Sequence, residues 1–255
     1  MLKKNTMALA VLAVLHAVPA FAAEQPEAEA TEGSARAQML DTVSVIGLGE
    51  TKQVQRLSVE RIAALPPGTS PLKLLADLPG VNFQSADAFG AYEWSARISL
   101  RGFNQNQLGF TLDGIPLGDM SYGNNNGLHI SRALISENLA GTELAEGIGG
   151  VNTASTSNLG GTIQFFSADP SSEFGIRLSQ TLGSDATRRT YARLDTGDHN
   201  GFAMYLSGLS SSTDKWKGQG EQKQEQVNLK AQYDFGDSRI GLLATTSRRN
   251  ENDYQ

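Results

Sequence analysis

Ile98-Ser-Leu-Arg-Gly-Phe-Asn-Gln-Asn-Gln-Leu-Gly-Phe-Thr-Leu-Asp-Gly-Ile-Pro116 decides how the rest of this 255-residue chain is read. Ile98 and Leu100 alternate with Arg97, Ser99 and Arg101, the period-two pattern of a half-buried strand. Gly102 then supplies a position without a Cβ beside the bulky Phe103. Leu108, Phe110 and Leu112 renew the alternation, and Asp113-Gly114 ends it with turn chemistry ahead of Pro116. The stretch is two short strands and two tight turns. Arg101, Gly102, Asp113 and Gly114 take structural parts in it, with polar contacts outward.

Composition narrows the function classes. There is no cysteine, so neither a disulfide framework nor a thiolate site exists. The three histidines, His16, His129 and His199, are too scattered for a metal cluster. A net charge of −6 gives no basic stripe for nucleic acid. Neither a catalytic nucleophile–base set nor a cofactor motif emerges. Gly147-Ile-Gly-Gly150 is an incomplete dinucleotide fingerprint with no βαβ unit around it.

Working outward toward the start, Lys3 and Lys4, an apolar run from Met7 to Val18 and Ala20-Phe21-Ala22 make a secretory leader over residues 1–22. The run is too short to span a bilayer. Residues 24–38 are rich in Ala and Glu without large apolar side chains, and are read as disordered. Asp41, Thr42, Val43, Ser44, Val45, Ile46 and Gly47 then form an extended, β-prone heptad suited to adding a strand to another protein's sheet. On the residues alone an ordinary first strand is the better reading; their place between a secreted tail and a folded domain decides for the former.

From Val54 to Pro79 the pattern turns helical in short pieces. Ser58 caps one piece through Leu65, and Ser70-Pro71 opens another over residues 72–78. Two aperiodic stretches, 84–95 and 120–127, combine aromatics with amides and permissive backbone. Phe89, Tyr92 and Trp94 in the first, and Tyr122 and Asn124 in the second, are candidates for gripping a polar ligand; packing of the loops themselves is the competing role. Thr142 with Leu144, and residues 160–166, give further strands. After Pro170 five segments alternate apolar and polar positions, among them Phe174–Leu182 and Val227–Phe235. Such segments are the pattern of transmembrane barrel strands. Residues 211–225 read as a long polar loop, against short connections at 197–201 and 236–238. A soluble antiparallel sandwich is the rival reading of these strands.

Arg101-Gly102-Phe103 with Leu112-Asp-Gly-Ile-Pro116, and Leu78-Pro-Gly-Val81 before them, resemble the plug domain of TonB-dependent outer-membrane transporters. The resemblance implies an order of parts: signal peptide 1–22, disordered periplasmic tail 23–40, TonB box 41–47, plug 48–170, and the N-terminal part of a β-barrel 171–255. The fold class is an α+β plug followed by the first antiparallel strands of a transmembrane barrel. Barrels of this kind begin at about eight strands, so the expectation is an N-terminal piece of a longer receptor. The implied function is TonB-dependent uptake of a ferric siderophore or related iron complex, with cobalamin, haem or a sugar as alternatives. A soluble or adhesive secreted β-domain is the other class. The implied partners are TonB with the ExbB/ExbD inner-membrane complex, outer-membrane lipid and the small ligand, with no cofactor, no nucleic acid and a monomeric state. Arg101 would face an acidic residue of the barrel, on a strand that need not belong to these 255 residues. One departure from the family is plain: Glu146-Gly147-Ile148 stands where its members carry Arg-Gly-Pro.

Overall fold

The computed structural model describes residues 10–16, 54–93, 95–119, 126–147, 153–155, 157–215 and 219–251. Three sheets organise them. The first is an antiparallel wall built from β10 (Phe174–Leu182), β11 (Arg188–Thr196), β12 (Phe202–Asp214), β13 (Glu221–Phe235) and β14 (Ser238–Glu251), each paired with the next. A strand within the expected leader, β1 (Ala10–His16), runs antiparallel along the free edge of β14.

The wall is inverted relative to a soluble sheet. Phe174, Ile176, Leu178, Leu182, Leu206, Ile240 and Leu242 lie exposed on one face. On the other, Arg193, Asp195, Ser207, Gln226 and Asn228 are buried. Water would reverse that arrangement; a bilayer outside and a filled lumen inside require it.

The inner face encloses a mixed domain. Its five-stranded sheet has the order β2 (Val54–Leu57), β8 (Leu139–Glu146), β9 (Gly161–Ser167), β6 (Leu108–Leu112), β7 (Ile115–Pro116), with β6 and β9 parallel. A smaller sheet joins β3 (Val81–Gln84), β4 (Arg97–Leu100) and β5 (Phe103–Asn104). Two short helices, α1 (Val59–Ala63) and α2 (Ile130–Ala133), accompany them. Leu72, Leu75, Leu100, Leu108, Leu144, Ile163 and Phe165 form the centre of its core. β6 is buried at every position, as a parallel strand covered on both faces must be.

Both turns of the opening stretch are two-residue hairpin connections. Leu100 pairs with Phe103 and Leu112 with Ile115, leaving Arg101-Gly102 and Asp113-Gly114 as the loops. Their φ angles are 48° and 89°, then 49° and 80°. Positive φ at both central residues is the twist-matched hairpin geometry that Asp-Gly favours and Arg-Gly tolerates at a cost.

Three expectations are corrected. Residues 54–57 are strand rather than helix, because Val54 and Leu57 pair with Ala145 and Thr142 of β8. The second helical piece is a 3-10 helix, Lys73–Asp77, with Leu78 extended at ψ 139°. Pro79 excludes the helical region for the residue before it and cuts the element short. The polar run 211–225 is mostly hairpin: Ser211 pairs with Gln224 and Thr213 with Gln222, so only 215–220 connect the strands. Polar side chains on both faces hid the strand period, while the backbone ladder needed no apolar face.

Candidate functional site

The enclosed domain is held by a column of inward-pointing side chains on β13. Gln224 Nε2 donates to Ser131 O at 3.2 Å, Gln226 Nε2 to Arg132 O at 3.1 Å, and Asn228 Nδ2 to Ala133 O at 3.3 Å. Every second residue of one strand thus meets a successive carbonyl of α2. Terminal carbonyls of a helix have no partner within it, so amides at strand spacing satisfy them. Asn228 Oδ1 also accepts from Ile135 N–H at 2.8 Å and from Asn138 Nδ2 at 3.2 Å. Asn138 in turn donates to Ser207 Oγ at 2.8 Å and accepts from the Tyr191 hydroxyl at 2.7 Å. Arg193 lies beside them, its Nη2 2.6 Å from Asp195 Oδ1 and its guanidinium 3.8 Å above the Tyr205 ring. A buried charge kept in a pair and stacked on an aromatic face avoids most of the penalty of leaving water.

The last inward residue of the column, Lys230, reaches the opposite end of the domain. Its Nζ donates to Ser167 Oγ at 2.8 Å and pairs with Asp169 at 2.8 Å. Asp169 also meets Arg239 at 2.8 Å. Burial works to raise the Asp169 pKa, but the two cations outweigh it and hold the carboxyl below its ordinary value. Asp113, at its hairpin turn, accepts from Ser167 N–H at 2.9 Å and from the Ser167 hydroxyl. The Asp113 turn is therefore one hydrogen bond removed from the wall.

Arg101 pairs within the enclosed domain. Its Nε lies 2.7 Å from Glu146 Oε2, and its N–H donates to Gly80 O at 2.8 Å. Glu146 belongs to the enclosed domain, and the acidic barrel residue expected for Arg101 is not among the described contacts. Gly102 leaves open space where a Cβ would point, and Phe103 packs against the core. Gly114 is likewise open.

At the other end, where residues 183–187 and 215–220 connect the strands, the stretch 85–95 is tightly knit rather than loose. The Asp87 carboxylate accepts from the backbone N–H groups of Phe89, Ala91 and Tyr92 at 3.1, 2.9 and 2.8 Å. Glu93 is buried and accepts twice from Arg132 Nε, at 3.0 and 2.8 Å. Arg249 of β14 donates to Ala91 O at 2.7 Å and lies 3.5 Å from Glu93. Arg189 of β11 pairs with Glu137. Between these groups a cavity of about 70 Å³ is lined by Asp87, Phe89, Arg189, Lys223, Arg249 and Glu251 among others.

Of the candidate ligand residues, Phe89 is half-buried and borders this cavity. Tyr92 is only 1% exposed, with the Lys215 ammonium 5.5 Å from its ring centroid. Trp94, Tyr122 and Asn124 lie outside the described residues, as do Asp41 to Gly47. Asp87, Glu93, Asn138 and Asn228 were not singled out from sequence. Only Asp87 carried a local signal, an Asx residue opening a glycine-containing turn.

The chain matches the family model of the TonB-dependent receptor plug domain over residues 48–162. Among solved structures it is similar to the pyoverdine outer-membrane receptor FpvA from Pseudomonas aeruginosa PAO1, with a TM-score of 0.61 and 16% identity over 78% of this chain and 28% of that one. It is also similar to the ferric-catecholate import receptor Fiu from E. coli K12, with a TM-score of 0.59 and 21% identity over 78% of this chain and 26% of that one. The siderophore receptor PiuA from Acinetobacter baumannii gives a TM-score of 0.58 and 18% identity, over 78% and 26% of the two chains. The chain thus spans 26% to 28% of the length of these three receptors. No curated protein matches its sequence. The enclosed domain is the plug, and the antiparallel wall is part of a barrel that the described strands do not close.

Proposed function

We propose that this chain is part of an outer-membrane receptor that imports a scarce ligand under TonB control, an iron–siderophore complex foremost. The observation that carries the reading is the wall's two faces: apolar side chains stand exposed outside, while Gln224, Gln226, Asn228 and Lys230 grip the plug inside. A soluble or adhesive β-domain has no use for an exposed apolar face of that extent. The class is that of a receptor and transporter rather than an enzyme. Iron as cargo draws its support from the similar receptors, which bind pyoverdine or import a ferric catecholate.

In this reading residues 1–22 are removed on export, 23–40 form a periplasmic tail, and 48–170 are plug. Asp41 to Gly47 pair by backbone hydrogen bonds with TonB, which the ExbB/ExbD complex energises from the proton gradient. Ligand bound at the outer end touches the plug loops, and pulling on the plug then opens a path. The polar contact between plug and wall suits such movement, because hydrogen bonds lost to the wall are replaced by water with little net cost. The test is Val45→Pro in the full receptor, which removes a backbone N–H and fixes φ. Uptake is expected to collapse while ligand binding at the cell surface persists. Unchanged uptake would remove the TonB-pairing role from this segment.

A further inference from the structure

Plug and wall are one continuous chain, so a force that draws the plug away also acts on the residues that join them. Residues 167–172, from the end of β9 to just short of β10, make the join. Beyond them stands β10, with Phe174, Ile176 and Leu178 exposed on the apolar face of the wall. A strand peeled from that wall would leave backbone groups in hydrocarbon, where nothing replaces the lost hydrogen bonds.

The joining residues are tied down one after another. Ser167 N–H donates to Asp113 Oδ1 at 2.9 Å, and its carbonyl accepts from Lys230 Nζ at 3.1 Å. Ala168 N–H donates to Asn138 O at 2.7 Å. The Asp169 carbonyl accepts from Arg193 Nη2 at 3.0 Å, while its carboxylate meets Lys230 and Arg239, each at 2.8 Å. Pro170 is buried, has no N–H to satisfy and fixes its own φ. Ser171 N–H donates to Asp195 Oδ1 at 2.9 Å, and Ser172 O accepts from Asp198 N–H at 2.9 Å.

Where these bonds lead distinguishes the segment from an ordinary loop. Its side-chain partners in the wall are Arg193 and Asp195 of β11, Lys230 of β13 and Arg239 of β14, and not the strand that it feeds. Load entering at Ser167 is therefore spread over three strands before Phe174 is reached. Burial then ranks the contacts. Arg193 and Asp195 are each 2% exposed and lie 2.6 Å apart, and the Lys230 side chain is largely covered. The Arg239–Asp169 pair is half-exposed on both sides and contributes little. Charge-assisted bonds out of water are the strong ones, so Arg193, Asp195 and Lys230 hold the joint.

We propose that residues 167–172 are a strain-relief clamp. They end the movable part of the plug and pass its tension into β11, β13 and β14, so that β10 keeps its place in the lipid. The inference rests on the transport reading, in which the plug is pulled from its N-terminal side, and adds to it the point where that pull must stop.

The test pulls single molecules of the full receptor, held in a lipid bilayer, by a biotinylated peptide inserted within residues 24–38. In the wild type the released chain is expected to reach roughly 400 Å, the extended length of residues 48–166, and to halt there. Lys230→Met removes the ammonium and keeps the stem. Arg193→Gln with Asp195→Asn removes both buried charges together, so that neither is left alone. Either change should lower the force at the halt about twofold, with a further release of roughly 50 Å as residues 167–182 come away. Gln226→Leu, which loosens α2 but not the joint, should lower an earlier rupture and leave the halt as it is. Should the buried pair fail to assemble, as read by heat-modifiable migration, Lys230→Met decides alone. An unchanged halt in the assembled variants, or a wild-type trace that runs through 400 Å without one, would overturn the proposal. The pull needs no TonB, so a halt that weakens as expected while Val45→Pro leaves uptake intact keeps the clamp and removes the transport reading. Collapse of uptake in Val45→Pro with no halt in the wild type gives the reverse.

Discussion

His129 shows how much one residue at the plug–wall contact depends on its surroundings. It caps α2, its Nδ1 accepting from Ser131 N–H at 3.2 Å, and its Nε2 has no hydrogen bond among the described residues. Burial lowers its pKa to about 3, with the Arg249 and Arg132 charges acting in the same direction. Glu93 and Glu251 complete the charged groups around that pair of arginines. The folded state therefore holds His129 neutral, whereas the unfolded chain protonates it near 6.5. Its contribution is fully present above that value and is lost as pH falls toward about 3. The purified receptor is expected to lose about 2 kcal/mol between pH 7 and pH 5 through this group. His129→Gln should flatten that part of the profile, read from urea midpoints at the two pH values. Asp169, also depressed, acts in the same sense but only below its ordinary value of 3.8, so the two windows separate.

At the scale of elements, hairpin turns and close packing place different demands on glycine. Gly102 and Gly114 have positive φ but open space around a would-be Cβ. Gly160, which leads into β9, would put a Cβ 2.3 Å from Phe103 Cβ and 3.0 Å from Leu108 Cδ2. Gly102→Ala should therefore cost about 1–2 kcal/mol, the left-handed backbone penalty alone. Gly160→Ala should cost about 3 kcal/mol, because β9 must move away from the sheet's core. Limited proteolysis of the plug in the assembled receptor orders the two; an equal effect would refute the distinction. The turns were legible in sequence because Asp-Gly and Arg-Gly sit between alternating apolar residues. The 3-10 helix and β2 were not, since a proline in one case and a partner strand in the other overrode local preference.

For the whole molecule, the decisive property is which face of the wall meets lipid. Leu178 is 76% exposed near the middle of β10. Leu178→Arg should cost about 2–4 kcal/mol if that face lies at mid-bilayer. On a water-facing sheet the same change would be close to neutral. Assembly in vivo, followed by heat-modifiable migration of the folded receptor, reads the difference. A fully assembled Leu178→Arg variant would place the face in water. The outward apolar rows were plain in the sequence as alternation, but alternation alone fits a soluble sandwich equally. Burial of Arg193, Asp195 and Asn228 on the opposite face separates the two, and only the packed plug buries them.

By itself the sequence determined most of the strands, the two hairpin turns, and the resemblance that named the plug, because these rest on local periodicity and on residue chemistry at short spacing. Tertiary structure decided what each polar side chain answers to. Gln224, Gln226 and Asn228 meet carbonyls about ninety residues earlier in the chain, and Arg101 pairs with Glu146 across the plug. Tyr92 is buried beside a turn in which three backbone N–H groups close around Asp87. Contacts between residues distant in the chain depend on how elements are brought together, and periodicity within an element carries no record of its neighbours.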